Sequence, residues 1–271
     1  MIEFLKVSFL AALQGVAEFL PISSSGHLVI AQHALGMKDG GLRLDVFLHL
    51  GTLAAIFAYY RIVISRLVRG LLWRSATWEH RREAWEYLGK IALSALPAVV
   101  VYLFFHDFLE GMFENAKMVG ALLMFTGAVL IGTRYMPKGS KDVSWARAFF
   151  MGLGQSVALL PGVSRSGMTL ASARAGRVDG AKSAEFSFLM SAPLIGGAAM
   201  LELLKCIKAA GEAGEAATAE VSWGLTIYGA VLAGFVGYFS LALLVKALKG
   251  DWFWLFGPYC LVAGLATLLL V

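Results

Sequence analysis

The sequence predicts an all-α integral membrane protein: six transmembrane helices plus two re-entrant helical hairpins in an inverted-topology repeat. Three observations lead there. Of 271 residues, 59% are hydrophobic and only 15% charged, with a mean hydropathy of +0.73, well above the roughly 45–50% apolar content of a soluble domain. Six apolar stretches approach the ~20 residues that a helix needs to cross the hydrocarbon core. Two further apolar runs are interrupted at their centres by Ser, Gly and Pro.

The first interrupted run, 7–20, stops at Pro21-Ile22-Ser23-Ser24-Ser25-Gly26. It is not expected to be a cleavable signal, because Glu3, Lys6, Gln14 and Glu18 fall within or beside it and no small-residue cleavage pattern follows. Spans are predicted at 44–60, 86–105 and 117–133. A second interrupted run, 145–160, stops at Pro161-Gly162-Val163-Ser164-Arg165-Ser166-Gly167, and spans at 184–204, 222–245 and 252–271 complete the chain. Each half of an interrupted run is too short to cross. Non-helical backbone at membrane depth is tolerated only where protein or a wet cavity surrounds it, so both runs are read as hairpins with buried tips.

Charge orients the spans. Arg61, Arg66, Arg69, Arg74, Arg81, Arg82 and Lys90 crowd the segment 61–90, and Arg134, Lys138, Lys141 and Arg147 crowd 134–147, so both are expected to be cytoplasmic. The segments 106–116, with Asp107, Glu110 and Glu114, and 209–221, with Glu212, Glu215 and Glu220, hold no Lys or Arg and are expected outside. The first hairpin then enters from outside, the second from the cytoplasm, and the C-terminus ends outside. The formal charge of +5 comes with Lys and Arg concentrated in a few connecting segments, which argues for topology signals and against a nucleic-acid partner. Cys206 and Cys260 sit in apolar runs far apart and are expected to be packing residues rather than a disulfide or metal pair.

Placing residue 14 over residue 155 aligns Gln14 with Gln155, Val16 with Val157, Ala17 with Ala158, Ser23 with Ser164, Ser25 with Ser166 and Gly26 with Gly167. Three spans separate the copies, so the second is inverted, and the single membrane domain divides into repeats at about 1–135 and 143–271. Broken helices in inverted repeats place a site near the midplane where the breaks face each other. Gly224, Gly229, Gly234 and Gly237 permit close packing in one span, and whether that packing is internal or joins two copies in a homodimer stays open.

At each break a Ser cluster precedes a half-helix, the pattern of an N-cap. Two helix N-termini meeting there aim unpaired N–H groups and positive dipole ends into one volume, an anion site. Arg165 adds a guanidinium matched to phosphate; at bilayer depth such a group is functional or paired. His27, directly after the first Ser cluster, is a candidate base or nucleophile beside Ser23, Ser24 and Ser25. Gln14 and Glu18 share a helical face, and Glu18 needs a partner: a divalent cation or Arg165. Asp45, Glu185 and Ser187 are expected to support the site from behind. His33, His49, His80 and His106 receive no role.

Three stretches carry a resemblance: Gln14-Gly-Val-Ala-Glu18-Phe-Leu-Pro-Ile-Ser-Ser-Ser-Gly-His27, Pro161-Gly-Val-Ser-Arg165-Ser-Gly-Met-Thr169 and Glu185-Phe-Ser-Phe-Leu-Met-Ser-Ala-Pro193. In order, spacing and total length the chain resembles the bacterial undecaprenyl pyrophosphate phosphatases associated with bacitracin resistance. Where that family's acidic motif has Glu or Gln, three residues, then Glu, this chain has Gln14 first, so Glu18 is the one carboxylate of the pair. The resemblance implies hydrolysis of undecaprenyl diphosphate to the monophosphate carrier for cell-wall synthesis, assisted by Mg2+ or Ca2+. It also implies a bacterial inner-membrane location among membrane lipids, with the site opening to the periplasm. Carried over residue by residue, Ser24 is the nucleophile and His27 its acid/base partner, with attack by histidine or by water left open. Arg165, Ser164, Ser166 and Thr169 hold phosphate together with Ser23, Ser25 and Gly26, and Glu18 with Gln14 coordinates metal or orients His27. Two rivals remain. Acid-phosphatase-like lipid phosphatases require an Arg-Pro pair, and none of the six prolines here follows an arginine. A polyprenyl-phosphate transporter or flippase suits the inverted repeat but has no use for a nucleophile.

Overall fold

The computed structural model of the chain describes residues 1–37, 42–73, 76–113, 115–212 and 221–270. Among these residues the structure is helical, with one isolated bridge between Lys141 and Val178 and no strand. The first hairpin is α1 (Ile2–Ala17) and α2 (Ser24–Ala34), followed by α3 (Leu42–Tyr59), α4 (Arg61–Leu72), α5 (Trp78–Phe113) and α6 (Ala116–Gly132). The second is α7 (Trp145–Val157) and α8 (Arg165–Ala175), followed by α9 (Gly180–Glu212), α10 (Trp223–Gly250) and α11 (Phe256–Leu270). Side-chain caps start several of them, among them Asn115 for α6, Ser144 for α7, Ser164 for α8 and Ser222 for α10, each oxygen accepting an N–H that the first helical turn cannot satisfy internally. At about 1.5 Å per residue the hairpin helices, of 16, 11, 13 and 11 residues, are all too short to span.

Among the described residues, five helices are long and apolar enough to cross a membrane. They correspond to the spans expected at 86–105, 117–133, 184–204, 222–245 and 252–271. The span expected at 44–60 differs. α3 occupies that place but qualifies as a crossing only together with α4, from which it is bent by 77°. Its first turns spend positions on Arg43, Asp45 and His49, which lowers its hydropathy and supplies polar groups to the interior. The segment 61–90, expected to be a connection, is largely helical. Arg61, Arg66 and Arg69 alternate with Ile62, Val63, Leu67 and Leu71 along α4, an amphipathic pattern, and α5 begins eight residues before the expected 86. Residues 75, Glu114, Glu215 and Glu220 lie outside the described residues.

Packing exchanges partners between the two halves. α1 lies on α10 and α7 on α5, α3 packs on α9 and α10, and α6 runs along α11. Glycines set the closest approaches. A Cβ at Gly51 would stand 2.0 Å from the Ala230 carbonyl oxygen, and one at Gly152 would stand 2.4 Å from that of Ser94. Of the four glycines singled out in 222–245, Gly229, Gly234 and Gly237 face neighbours in the same chain, on α1 and α3 and at Phe19. The interior is filled by Phe19, Phe186, Phe188, Leu123, Met151 and Leu170. Leu103, Phe104, Val231, Phe235 and Leu269 are exposed, an apolar outer surface of the kind that lipid covers. The protein is a multi-pass membrane protein.

Candidate active site

The two hairpin tips touch. A Cβ at Gly26 would lie 3.4 Å from Gly162 Cα, and the Ser166 hydroxyl donates to the Leu20 carbonyl at 3.3 Å. Both tips are bent tightly. Ser23 adopts φ 68° and Gly162 φ 92°, left-handed conformations that a non-glycine residue such as Ser23 holds only when its surroundings impose them. α6 clamps the second tip through Thr126, whose hydroxyl donates to the Gly162 carbonyl at 3.2 Å and accepts from the Ser164 N–H at 3.1 Å.

Each half-helix is capped by the serine just before it. The Ser23 hydroxyl accepts from the Gly26 N–H at 3.4 Å, and that of Ser164 accepts from the Gly167 N–H at 3.1 Å. Capping therefore falls to Ser23 and Ser164, and the next residue in each copy, Ser24 or Arg165, is released for another partner. Both choose Glu18. The Ser24 hydroxyl donates to Glu18 Oε2 at 2.7 Å, and Arg165 Nη2 donates to Glu18 Oε1 at 2.6 Å. The Gln14 amide donates to Oε2 at 3.2 Å, and His49 Nε2 stands 3.9 Å from the same oxygen. Glu18 is 6% exposed; a carboxylate this deep persists when a cation and hydrogen bonds satisfy it.

These groups line a cavity of about 690 Å³ whose polar wall is Glu18, Ser23, Ser24, Ser25, Asp45, His49, Gln155, Ser164 and Arg165, and whose apolar wall includes Leu159, Val163, Leu194 and Ile195. The structure thus brings together Ser23, Ser24, Ser25, Glu18, Ser164, Arg165 and Asp45 from the expected set, with Gln14 directly behind Glu18.

Other expected residues sit elsewhere. The His27 ring is not on the cavity wall; its Nδ1 bonds the Ser23 carbonyl at 2.9 Å and its Nε2 the Tyr259 hydroxyl at 2.7 Å. It braces the strained carbonyl of Ser23 while Ser24 turns to Glu18. Ser166 and Thr169 are buried behind the tip, Thr169 bonding Ser187 at 2.6 Å and the Arg165 carbonyl at 2.8 Å, so this trio positions α8. Gly26 serves the tip contact. Glu185 accepts from Tyr87 at 3.3 Å and borders a separate cleft with Arg66, Lys90, Asp142 and Lys182.

Sequence reasoning left His49 without a role, yet it stands opposite Glu18, oriented by a 2.8 Å bond between its Nδ1 and the Asp45 carbonyl. The signal was the spacing: Asp45 and His49 are four apart, one turn on one face, at a polar start to a predicted span. Gln155 entered only as the mate of Gln14. Among the described residues no group of three His, Cys, Asp or Glu side chains could hold a metal.

A family model described as "Bacitracin resistance protein BacA" matches residues 7–266. A curated relative from Halothermothrix orenii is 32% identical over 271 residues, covering 99% of this chain and 98% of the relative. Relatives from Alcanivorax borkumensis, at 34% over 98% of each chain, and Pelotomaculum thermopropionicum, at 36% over 96% of this chain and 94% of the relative, bear the same name, undecaprenyl-diphosphatase. With its hairpin tips, Ser clusters and half-buried Arg165 in the matched region, the chain belongs to the BacA family of bacitracin resistance proteins.

Proposed function

We propose that the protein hydrolyses undecaprenyl diphosphate to undecaprenyl phosphate and inorganic phosphate, returning the lipid carrier to cell-wall synthesis and thereby conferring bacitracin resistance. The observation that carries this reading is the Ser24 hydroxyl held 2.7 Å from Glu18 Oε2 while Arg165 holds the other carboxylate oxygen, on the wall of one cavity at two helix N-termini. A hydroxyl is a weak nucleophile until a base takes its proton, and Glu18 is the base in contact. The Arg165 guanidinium and the positive ends of α2 and α8 meet the charge that builds on the phosphoryl oxygens. A flippase has no use for that serine–carboxylate contact.

In this reading Ser24 Oγ attacks the terminal phosphorus as its proton passes to Glu18. The new Oγ–P bond forms, the bridging P–O bond breaks, and prenyl monophosphate leaves. Water then attacks the phosphorus, the Oγ–P bond breaks, Ser24 recovers a proton from Glu18, and inorganic phosphate departs with the water oxygen. One water is consumed. The residues present fit a divalent cation such as Mg2+ or Ca2+. Gln14 Oε1 is a buried oxygen without a partner among the described residues, on the amide whose nitrogen donates to Glu18 Oε2, and Mg2+ is commonly held by one or two carboxylates together with substrate phosphates. Glu18 and Gln14 would hold it, and it would neutralise phosphate charge as a Lewis acid. Purified protein in detergent should release phosphate from a prenyl diphosphate; binding without release would indicate a carrier instead.

The reading places the chain in the bacterial inner membrane, surrounded by lipid, with the cavity facing the periplasm. Supporting it is the charge pattern of the sequence, with arginines along α4 and early α5 and an acidic 209–221 segment that has no Lys or Arg. In a cysteine-free background, Glu215→Cys on intact cells should react with a membrane-impermeant thiol reagent and Ser75→Cys should not. Labelling at 75 alone reverses the orientation.

A further inference from the structure

The chemistry above leaves Gln155 unused. It lies in α7, is 2% exposed and contributes to the cavity wall, and both atoms of its amide are buried without a hydrogen-bond partner among the described residues. Native interiors leave very few polar groups in that condition. Whichever way round the amide stands, an NH2 is left without an acceptor. Its repeat mate shows what is missing. Gln14 spends its NH2 on Glu18, four residues on, whereas four residues on from Gln155 stands Leu159, which can accept nothing. Arg165, on the same wall, likewise has Nη1 buried and unpartnered after Nη2 has gone to Glu18. Gln155 and Arg165, which line the same cavity as Ser24, therefore keep two unspent donors in the second hairpin.

We propose that Gln155 and Arg165 Nη1 together hold the phosphate that stays on the lipid, while Ser24 addresses the terminal one. The proposal rests on the hydrolase reading above and adds to it the division of labour: the first hairpin does the bond exchange, and the second grips the group common to substrate and product. Two half-helix N-termini, one from each hairpin, match the two phosphates of a diphosphate. Gln155 is thus a positioning residue that recognises prenyl diphosphate and prenyl monophosphate alike.

The test uses Gln155→Leu, nearly isosteric and without polar atoms, made in full-length protein on a Ser24→Ala background. Binding of a short-chain prenyl diphosphate and of the matching monophosphate is measured alongside the ligand-free melting temperature. Both ligands should bind about tenfold more weakly, the loss of one hydrogen bond to a charged group. The ligand-free protein should melt no lower than its parent, because removing an unpartnered buried amide relieves a desolvation penalty. Those two results together support the assignment. Parental affinity for either ligand overturns it, with retention of the monophosphate moving Gln155 to the terminal phosphate. A melting temperature several degrees lower also overturns it, by making the amide structural. Gln155→Met carries the same expectations if the leucine variant does not fold. Wild-type phosphate release, followed in parallel, reports on the hydrolase reading itself: its absence with these binding results intact would sink hydrolysis and not the phosphate grip.

Discussion

Ser24→Ala is expected to abolish phosphate release, by roughly three orders of magnitude or more, on the scale seen when a nucleophile that makes a covalent bond is deleted. The competing expectation is small. Were Ser24 a helix cap or a single hydrogen-bond donor to phosphate, its loss would cost about 1–2 kcal/mol, or roughly five- to thirty-fold in rate. The structure already separates these roles. The cap of α2 is Ser23, bonded to the Gly26 N–H at 3.4 Å, while the Ser24 hydroxyl is committed to Glu18 Oε2 at 2.7 Å. Removing Ser24 therefore leaves the tip intact and Glu18 still paired with Arg165, so folding and membrane insertion persist. Steady-state phosphate release by purified variant and wild type at saturating lipid decides the matter. Residual turnover within thirty-fold of wild type ends the serine-nucleophile assignment and hands the attack to water activated by Glu18, because His27 is turned to the Ser23 carbonyl and Tyr259.

Much of this architecture was legible in the residues, for physical reasons. The long apolar stretches could satisfy their backbone only as helices, and the two Ser/Gly/Pro breaks could lie at membrane depth only if surrounded by protein, which brought the tips together. The same logic made Arg165 and Glu18 conspicuous, since each needs a partner there, and they proved to be each other's. What could not be read was direction. Sequence placed His27 three residues from Ser24 and suggested a pair, but the left-handed turn at Ser23 sends the Ser24 hydroxyl towards α1 and the imidazole towards α11. Thr169 looked like a ligand donor because it is polar and near the motif, whereas packing turned it towards Ser187. The amphipathic α4 was hidden by its charge, because a segment dense in arginine reads as a connection until its apolar positions are counted on one face. His49 needed the fold: α3 had to bring it opposite Glu18 from 31 residues away in sequence.

Arg165→Lys is expected to lower kcat/KM by about one to two orders of magnitude while the protein still folds. Arg165 meets two demands at once: Nη2 holds Glu18 Oε1 at 2.6 Å, and Nη1 is left over for the ligand. An ammonium can meet the first, keeping a positive charge beside a buried carboxylate, which is why lysine is the informative change. A neutral residue would strand Glu18 unpaired, at a cost of about 3–5 kcal/mol, and confuse loss of fold with loss of function. Lysine lacks the planar fork that lets one side chain bridge carboxylate and phosphate in fixed geometry. Losing one charge-assisted hydrogen bond of about 1.5–3 kcal/mol gives the expected fall. The measurement is kcat/KM for prenyl diphosphate alongside the melting temperature in detergent. A lysine variant within threefold of wild type would reduce Arg165 to a general counter-charge for Glu18. A variant that is folded but slow would show that the second arm of the guanidinium, the one with no protein partner, is the arm the substrate uses.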